Sequence, residues 1–252
     1  MPLVQLSNGM ELFYREAGAG ERTLLLLHGN TASSLWWERV IPHLPSGWRI
    51  LAPDLRGCGD STKPAGEWTM SDLAQDVALF LGAMELDQAV IVGHSLAGGI
   101  ALQVAAEYPA LVERLVLINS APIDGLRLGP EAYVEVPEAV LRYALGLMMP
   151  TAPKDEFYER LVEESVTKSG PARIRHGRAL YEMDLSGVAS SLRQPTLVLW
   201  GAQDPLVTRA MMERMAAALP NAVLEVWEDV GHSAPVEAPE RLATRIVEFC
   251  GV

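Results

Sequence analysis

The sequence predicts an α/β protein with a mostly parallel sheet, and three observations carry that expectation. Short apolar runs bounded by turn residues recur along the chain, among them Thr23–Leu27, residues 89–92 and residues 195–200. Runs of this length without polar alternation belong to strands buried on both faces. Stretches with helical spacing, such as 70–84 and Pro239–Cys250, fall between such runs, and strands alternating with helices make a parallel sheet. Finally, 252 residues of which 49% are hydrophobic suffice to bury a substantial core in one α/β domain with an insertion.

Residues 3–6 and Glu11–Ala17 flank Ser7-Asn8-Gly9, a turn signal that makes them an antiparallel hairpin at the edge of the sheet. Thr23–Leu27 is the first fully buried strand; the small-residue loop His28-Gly29-Asn30-Thr31 and a helical stretch over 36–44 follow it. Residues 48–53 form the next strand, and the turn-rich segment 54–64 leads to a helix over 70–84, for which Ser71 is a plausible N-cap. Strands at 89–92 and 112–119 bracket an alanine-rich helix stopped by Pro109. Beyond the insertion come a strand over 195–200, a helix over 211–219, a strand over 223–227 and the amphipathic helix Pro239–Cys250. Eight strands are counted.

Between residues 121 and 190 the pattern changes, because recurring prolines interrupt short helical segments rich in apolar residues such as Leu126, Leu141, Leu145 and Met148. This reads as a helical cap inserted after the sixth strand, with residues 1–120 and 191–252 forming the core domain. Its apolar side chains serve either packing against the core or the lining of a pocket for an apolar substrate. Arg173, Arg175, His176 and Arg178 form a basic cluster suited to a solvated helix face or to a substrate carboxylate.

Ser95 falls at the turn between the strand 89–92 and the helix beginning near Ile100, with Gly93, Ala97, Gly98 and Gly99 around it. A serine forced into a tight strand-to-helix turn projects its hydroxyl above the carboxyl edge of the sheet. The Leu96 N–H then opens the following helix and points at developing negative charge. A hydroxyl is a poor nucleophile until a base takes its proton, and that base needs a third group to fix its tautomer. Asp204 in Gly201-Ala202-Gln203-Asp204 and His232 in Gly231-His232-Ser233 each follow a strand. Loops at the carboxyl ends of parallel strands share one edge of the sheet.

The segment Gly93-His94-Ser95-Leu96-Ala97 resembles the G-x-S-x-G nucleophile elbow of the α/β-hydrolase superfamily, with alanine where the last glycine stands. His28-Gly29-Asn30, Asp54-Leu55-Arg56-Gly57 and Gly231-His232 through Glu240 are similar to further family segments. The resemblance implies the α/β-hydrolase fold, a catalytic set of Ser95, Asp204 and His232, and an oxyanion hole from the Asn30 and Leu96 N–H groups. It casts Asp54 and Arg56 as scaffold. Some family members place the acid after the sixth strand, where this chain offers Asn119, Ser120 and Asp124, while Asp204 fits the commoner placement. Of the other histidines, His28 is expected to brace the oxyanion loop and His94 to point away from the site.

The implied activity is a serine hydrolase cleaving an ester or lactone of a small, fairly apolar substrate through an acyl-enzyme on Ser95. Carbon-carbon bond hydrolysis, enol-lactone opening, peracid formation and a ligand-closed receptor remain open with the same residues. A dehalogenase or epoxide hydrolase would need a carboxylate in place of Ser95. Cofactors and metals are not implied. A net charge of −12 disfavours nucleic acid and anionic membrane and leaves a neutral or cationic small molecule, or an anion met by local arginines. Cys58 and Cys250 form no disulfide framework or metal pair. The first nine residues lack a signal-peptide pattern, so the expectation is a soluble cytoplasmic protein, monomer or homodimer.

Overall fold

The computed structural model describes residues 2–129, 132 and 134–251. Its sheet has eight strands: β1 (Leu3–Gln5), β2 (Glu11–Ala17), β3 (Thr23–Leu27), β4 (Arg49–Pro53), β5 (Ala89–His94), β6 (Val112–Ile118), β7 (Thr196–Gly201) and β8 (Ala222–Trp227). They lie in the order β1-β2-β4-β3-β5-β6-β7-β8. β1 pairs antiparallel with β2, and β2 antiparallel with β4, so the hairpin closes one edge; every later pairing is parallel. Gly9, with φ 86°, takes the left-handed turn position between β1 and β2 that a side chain would resist.

Successive side chains of a strand point to opposite faces, and the apolar runs fill both. Leu25, Leu27, Ile91, Leu115, Leu117 and Val198 meet the helices α1 (Met70–Ala83) and α2 (Leu96–Glu107) on one side. Leu24, Leu26, Val90, Val92, Val116 and Leu197 meet Trp37 and the carboxyl-terminal helix on the other. A parallel sheet needs both faces covered, which is why these strands show no polar alternation.

Two local expectations differ from the structure. The stretch 36–44 forms two short 3₁₀ turns, Ser34–Trp37 and Ile41–His43, in place of one helix, because Pro42 has no N–H to continue an α-helical ladder. α1 is capped by Thr69, not Ser71: the Thr69 hydroxyl accepts from the Asp72 N–H while the Asp72 carboxylate accepts from the Thr69 N–H. Ser71 instead donates to Glu107 on α2 at 2.6 Å.

Between β6 and β7 run α3 (Glu138–Met148), α4 (Glu156–Glu164) and α5 (Arg173–Glu182). Leu145, Met149, Phe157, Leu161 and Val166 of this stretch bury themselves with Leu35, Trp36 and Val236 from the rest of the chain. The Trp36 Nε1–H donates to Ser165 Oγ at 3.1 Å. α6 (Arg209–Ala218), α7 (Ala234–Glu237) and α8 (Pro239–Cys250) complete the molecule. Among the described residues no helix is long and apolar enough to cross a membrane.

Candidate active site

β5 ends at His94 and α2 begins at Leu96, leaving Ser95 at φ 55°, ψ −118°. That region of backbone space is costly for any residue with a Cβ and persists only when the surroundings over-determine it. Here they do: the Ser95 N–H donates to Ile118 O at 2.9 Å, and Ser95 O accepts from Gly98 N at 3.0 Å and Ala121 N at 2.9 Å. Gly93 is required, since a Cβ there would lie 2.3 Å from Ala97 O. The methyl of Ala97 is accommodated in a fully buried position. The tight contact falls one residue later, where a Cβ on Gly98 would lie 2.1 Å from Ser120 Oγ.

The loops after β7 and β8 bring Asp204 and His232 to Ser95. His232 Nε2 lies 2.9 Å from Ser95 Oγ, and its Nδ1 lies 2.7 Å from Asp204 Oδ2. With the buried carboxylate accepting at Nδ1, the neutral imidazole presents a bare Nε2 to the serine hydroxyl. Asp204 Oδ1 accepts from the N–H groups of Leu206 at 2.7 Å and Val207 at 3.0 Å, while Asn119 Nδ2 donates to Oδ2 at 2.7 Å. Burial works to raise the Asp204 pKa, but the hydrogen bond and charge of His232, aided by Val207 and Asn119, hold it below the ordinary carboxylate value. Asn119, which the sequence offered as an alternative position for the acid, is instead a hydrogen-bond partner of Asp204. The carboxylate that meets His232 is that of Asp204, and Asp229 pairs instead with Arg241 at 2.8 Å.

His94 does not point away from the site. Its Nε2–H donates to the backbone carbonyl of His232 at 2.9 Å, its ring centroid is 5.1 Å from that of His232, and it stacks on Trp36 at 5.7 Å. Burial and the neighbouring His232 push its pKa down to about 3, so it supports the loop of His232 as a neutral ring. His28 has the bracing role expected of it: Nδ1–H donates to Gly29 O at 2.8 Å and Nε2 accepts from Leu55 N at 2.9 Å. Asp54 accepts from the N–H groups of Ser34 and Asp60, and Arg56 makes a two-pronged ion pair with Asp76 at 2.5 and 2.7 Å. Burial raises the Cys58 thiol to about 12, which leaves it unreactive.

Ser95, His232, Asn30 and Leu96 line one cavity of about 250 Å³. The Leu96 N–H, first in α2, has no partner within its helix. Asn30 is held from the insertion side, its Nδ2 donating to Arg173 O at 3.1 Å. α3 turns Leu141, Ala144, Leu145 and Met148 toward the same space, the i, i+3, i+4, i+7 stripe of one helix face. Leu126, Leu180 and Leu206 extend the apolar wall. Among the described residues no group of three or more His, Cys, Asp or Glu side chains is placed to hold a metal ion.

Sequence reasoning passed over Glu237, although it lies in the segment used to choose His232. Its Oε2 accepts from Ser233 N at 2.9 Å, beside His232, while its Oε1 accepts from Thr151 N and Oγ1 at 3.0 and 2.9 Å. One carboxylate therefore joins the turn after α3 to the histidine loop.

The chain is similar to several known proteins along almost its whole length. It is 28% identical over 263 residues to an uncharacterized hydrolase of Bacillus subtilis, with 96% of this chain and 95% of that one covered. To the 2-hydroxymuconate semialdehyde hydrolase of a Pseudomonas strain it is 27% identical over 260 residues, covering 97% and 92%. The crystal structure of a hydrolase from Pseudomonas aeruginosa superposes with a TM-score of 0.88 at 28% identity, covering 100% of this chain and 98% of the other. The model of the alpha/beta hydrolase family matches residues 24–245, an interval that contains Asn30, Ser95, Leu96, Asp204 and His232. With that match spanning the sheet from β3 to α8, the chain belongs to the alpha/beta hydrolase family.

Proposed function

We propose that this protein is a serine hydrolase that cleaves an ester or lactone of a small, fairly apolar substrate through an acyl-enzyme on Ser95. The observation that carries the reading is the unbroken line of contact from Asp204 through His232 to Ser95 Oγ, at 2.7 and 2.9 Å, at the wall of an apolar cavity. His232 Nε2 takes the hydroxyl proton as Ser95 attacks the carbonyl, and Asp204 stabilises the imidazolium that forms. The oxyanion is met by the N–H groups of Asn30 and Leu96; losing one such aimed donor costs about 2.7 to 4 kcal/mol in the transition state. His232 then returns the proton to the leaving oxygen, and water, activated by the same ring, releases the acyl group. α3 to α5 act as a cap over the cavity, whose volume sits just under the roughly 300 to 1,000 Å³ of sites for drug-sized ligands.

A second reading keeps the residues and changes the bond. It draws on the similarity to 2-hydroxymuconate semialdehyde hydrolase, and would have Ser95 and His232 cleave a carbon-carbon bond beside a carbonyl. The experiment that tests both is a turnover assay on wild-type protein and Ser95→Ala with para-nitrophenyl esters of short and medium chain length, simple lactones and vinylogous diketones. Repeated turnover of esters or lactones, abolished in Ser95→Ala, is the expected result. Turnover confined to the diketones would favour the second reading, and a single burst without further cycles would overturn the enzyme reading in favour of a receptor.

A further inference from the structure

Arg173 is set apart from the rest of the cavity wall. It is the one lysine or arginine among the described residues lining a space that is otherwise mostly apolar. Its guanidinium donates from Nη1 to Ala132 O at 2.6 Å and from Nη2 to Val134 O, and it forms no ion pair with a described carboxylate. Several arginines of this acidic chain meet carboxylates, as Arg22 meets Glu113, Arg39 meets Asp155 and Arg56 meets Asp76. Two carbonyls occupy two of five guanidinium donors and neutralise none of the charge. Among the described residues its partners are these neutral carbonyls, which leaves the charge of a half-buried guanidinium for an anion to meet.

The rest of the basic cluster is committed to other contacts. Arg175 lies over the Trp68 ring at 5.2 Å, Arg178 pairs with Glu67 at 2.7 Å, and His176 is fully buried. Arg173 alone of the four borders the cavity. Its place is fixed relative to the reacting centre, because it opens α5 and its carbonyl accepts from Asn30, whose neighbour Gly29 packs against Ser95.

We propose that Arg173 anchors a carboxylate, and that the natural substrate is an ester or lactone whose acyl part carries a free carboxylate separated from the reacting carbonyl by an apolar segment. Hydrolysis consumes one water and releases one proton; an ester yields a dicarboxylate and an alcohol, a lactone a single hydroxy-dicarboxylate. The planar fork matches a carboxylate bidentately, and the apolar side chains that line the same cavity as Arg173 and Ser95 suit the methylenes that join the two ends. A surface of net charge −12 gives an anionic substrate no help elsewhere, which makes a dedicated cation necessary. This inference rests on the hydrolase reading of Ser95.

The test compares the mono-para-nitrophenyl ester of adipic acid with its methyl ester, in wild type, Arg173→Gln and Arg173→Lys. Wild type is expected to favour the free acid in kcat/KM. Arg173→Gln is expected to lower that preference by about tenfold to a hundredfold, the worth of hydrogen bonds to a charged group, chiefly through KM. Arg173→Lys should retain part of it. A preference unchanged by Arg173→Gln, or a wild-type preference for the methyl ester, overturns the proposal. Should the variants fail to fold, wild type alone decides: adipate must inhibit turnover of the neutral ester competitively and better than dimethyl adipate, and equal inhibition overturns the anchor. If wild type turns over neither ester, the hydrolase reading is decided by the separate panel of esters, lactones and diketones, and calorimetric titration of adipate into wild type still settles the anion site, binding supporting it and no binding refuting it.

Discussion

Asn119 Nδ2 and His232 Nδ1 converge on the same oxygen of Asp204, each at 2.7 Å. Asn119 closes β6, one strand from the β7 loop that carries Asp204, and its own Oδ1 accepts from Gly201 N at 3.3 Å. A neutral amide can donate to a carboxylate without competing for its charge. Replacing it by Asp should set two carboxylates against each other, raise the pKa of one, and move the acid limb of kcat/KM to higher pH. Asn119→Gly, which tolerates the observed φ of 43°, should lower kcat by about tenfold to a hundredfold with the limb in place. pH profiles of the two variants separate these outcomes, and a wild-type profile in both would remove Asn119 from the acid's support.

Glu237 links Thr151 in the insertion to Ser233 beside His232, and a Cβ on Gly231 would meet Pro150 at 2.5 Å. The turn after α3 thus rests directly on the loop that holds His232. Glu237→Ala should leave the Ser233 N–H without a partner at a cost of about 1 to 3 kcal/mol, seen as a lower Tm together with reduced kcat. Glu237→Gln, which keeps an acceptor, should recover most of both. A lower Tm with kcat untouched would show that Glu237 serves the fold without positioning the histidine.

The buried histidines make stability depend on pH. His94 and His176 have native pKa values near 3 against 6.5 in the unfolded chain, and burial lowers His28 as well. Between those values the unfolded state binds protons that the native state refuses. Stability is therefore full above pH 6.5 and declines as pH falls toward 3, by up to about 1.4 kcal/mol per pH unit for each histidine. The depressed Asp204 adds a further loss as pH drops below its ordinary 3.8. Urea midpoints followed from pH 6.5 down to about pH 4 should fall steadily. A flat series would mean that the native state takes up these protons.

Ala97 stands where the elbow pattern has glycine, yet the pinch point is Gly98. Ala97→Gly should restore the pattern and cost about 0.5 to 1 kcal/mol of stability with no gain in kcat. Gly98→Ala should fail, its methyl driven into Ser120 Oγ; Gly98→Ala combined with Ser120→Gly should recover soluble protein. Thermal melts and expression yields of the three variants are sufficient.

Much of the architecture was legible because burial on both faces of a parallel sheet writes itself as apolar runs, of which Thr23–Leu27 and Thr196–Gly201 are plain cases. The side chains proposed for the chemistry were legible for a related reason: Ser95, Asp204 and His232 each follow a strand, and parallel strands end on one edge. What a linear pattern conceals is contact between remote polar groups. Asn119 and Asp204 are 85 positions apart, and Thr151 and Glu237 are 86 apart. The same limit hid the turn of His94 beneath His232. Local competition accounts for the smaller differences: Thr69 wins the cap from Ser71 because Asp72 lies three residues on, completing the reciprocal pair.

The contorted backbone at Ser95 implies that this molecule is less heat-resistant than its fold permits. A glycine at that position would relax the torsion that the surrounding backbone hydrogen bonds now enforce, giving a protein that survives hotter solutions than its parent and, on the proposed mechanism, has lost its activity. Under the role proposed for Ser95, robustness and reactivity are opposed at a single peptide unit.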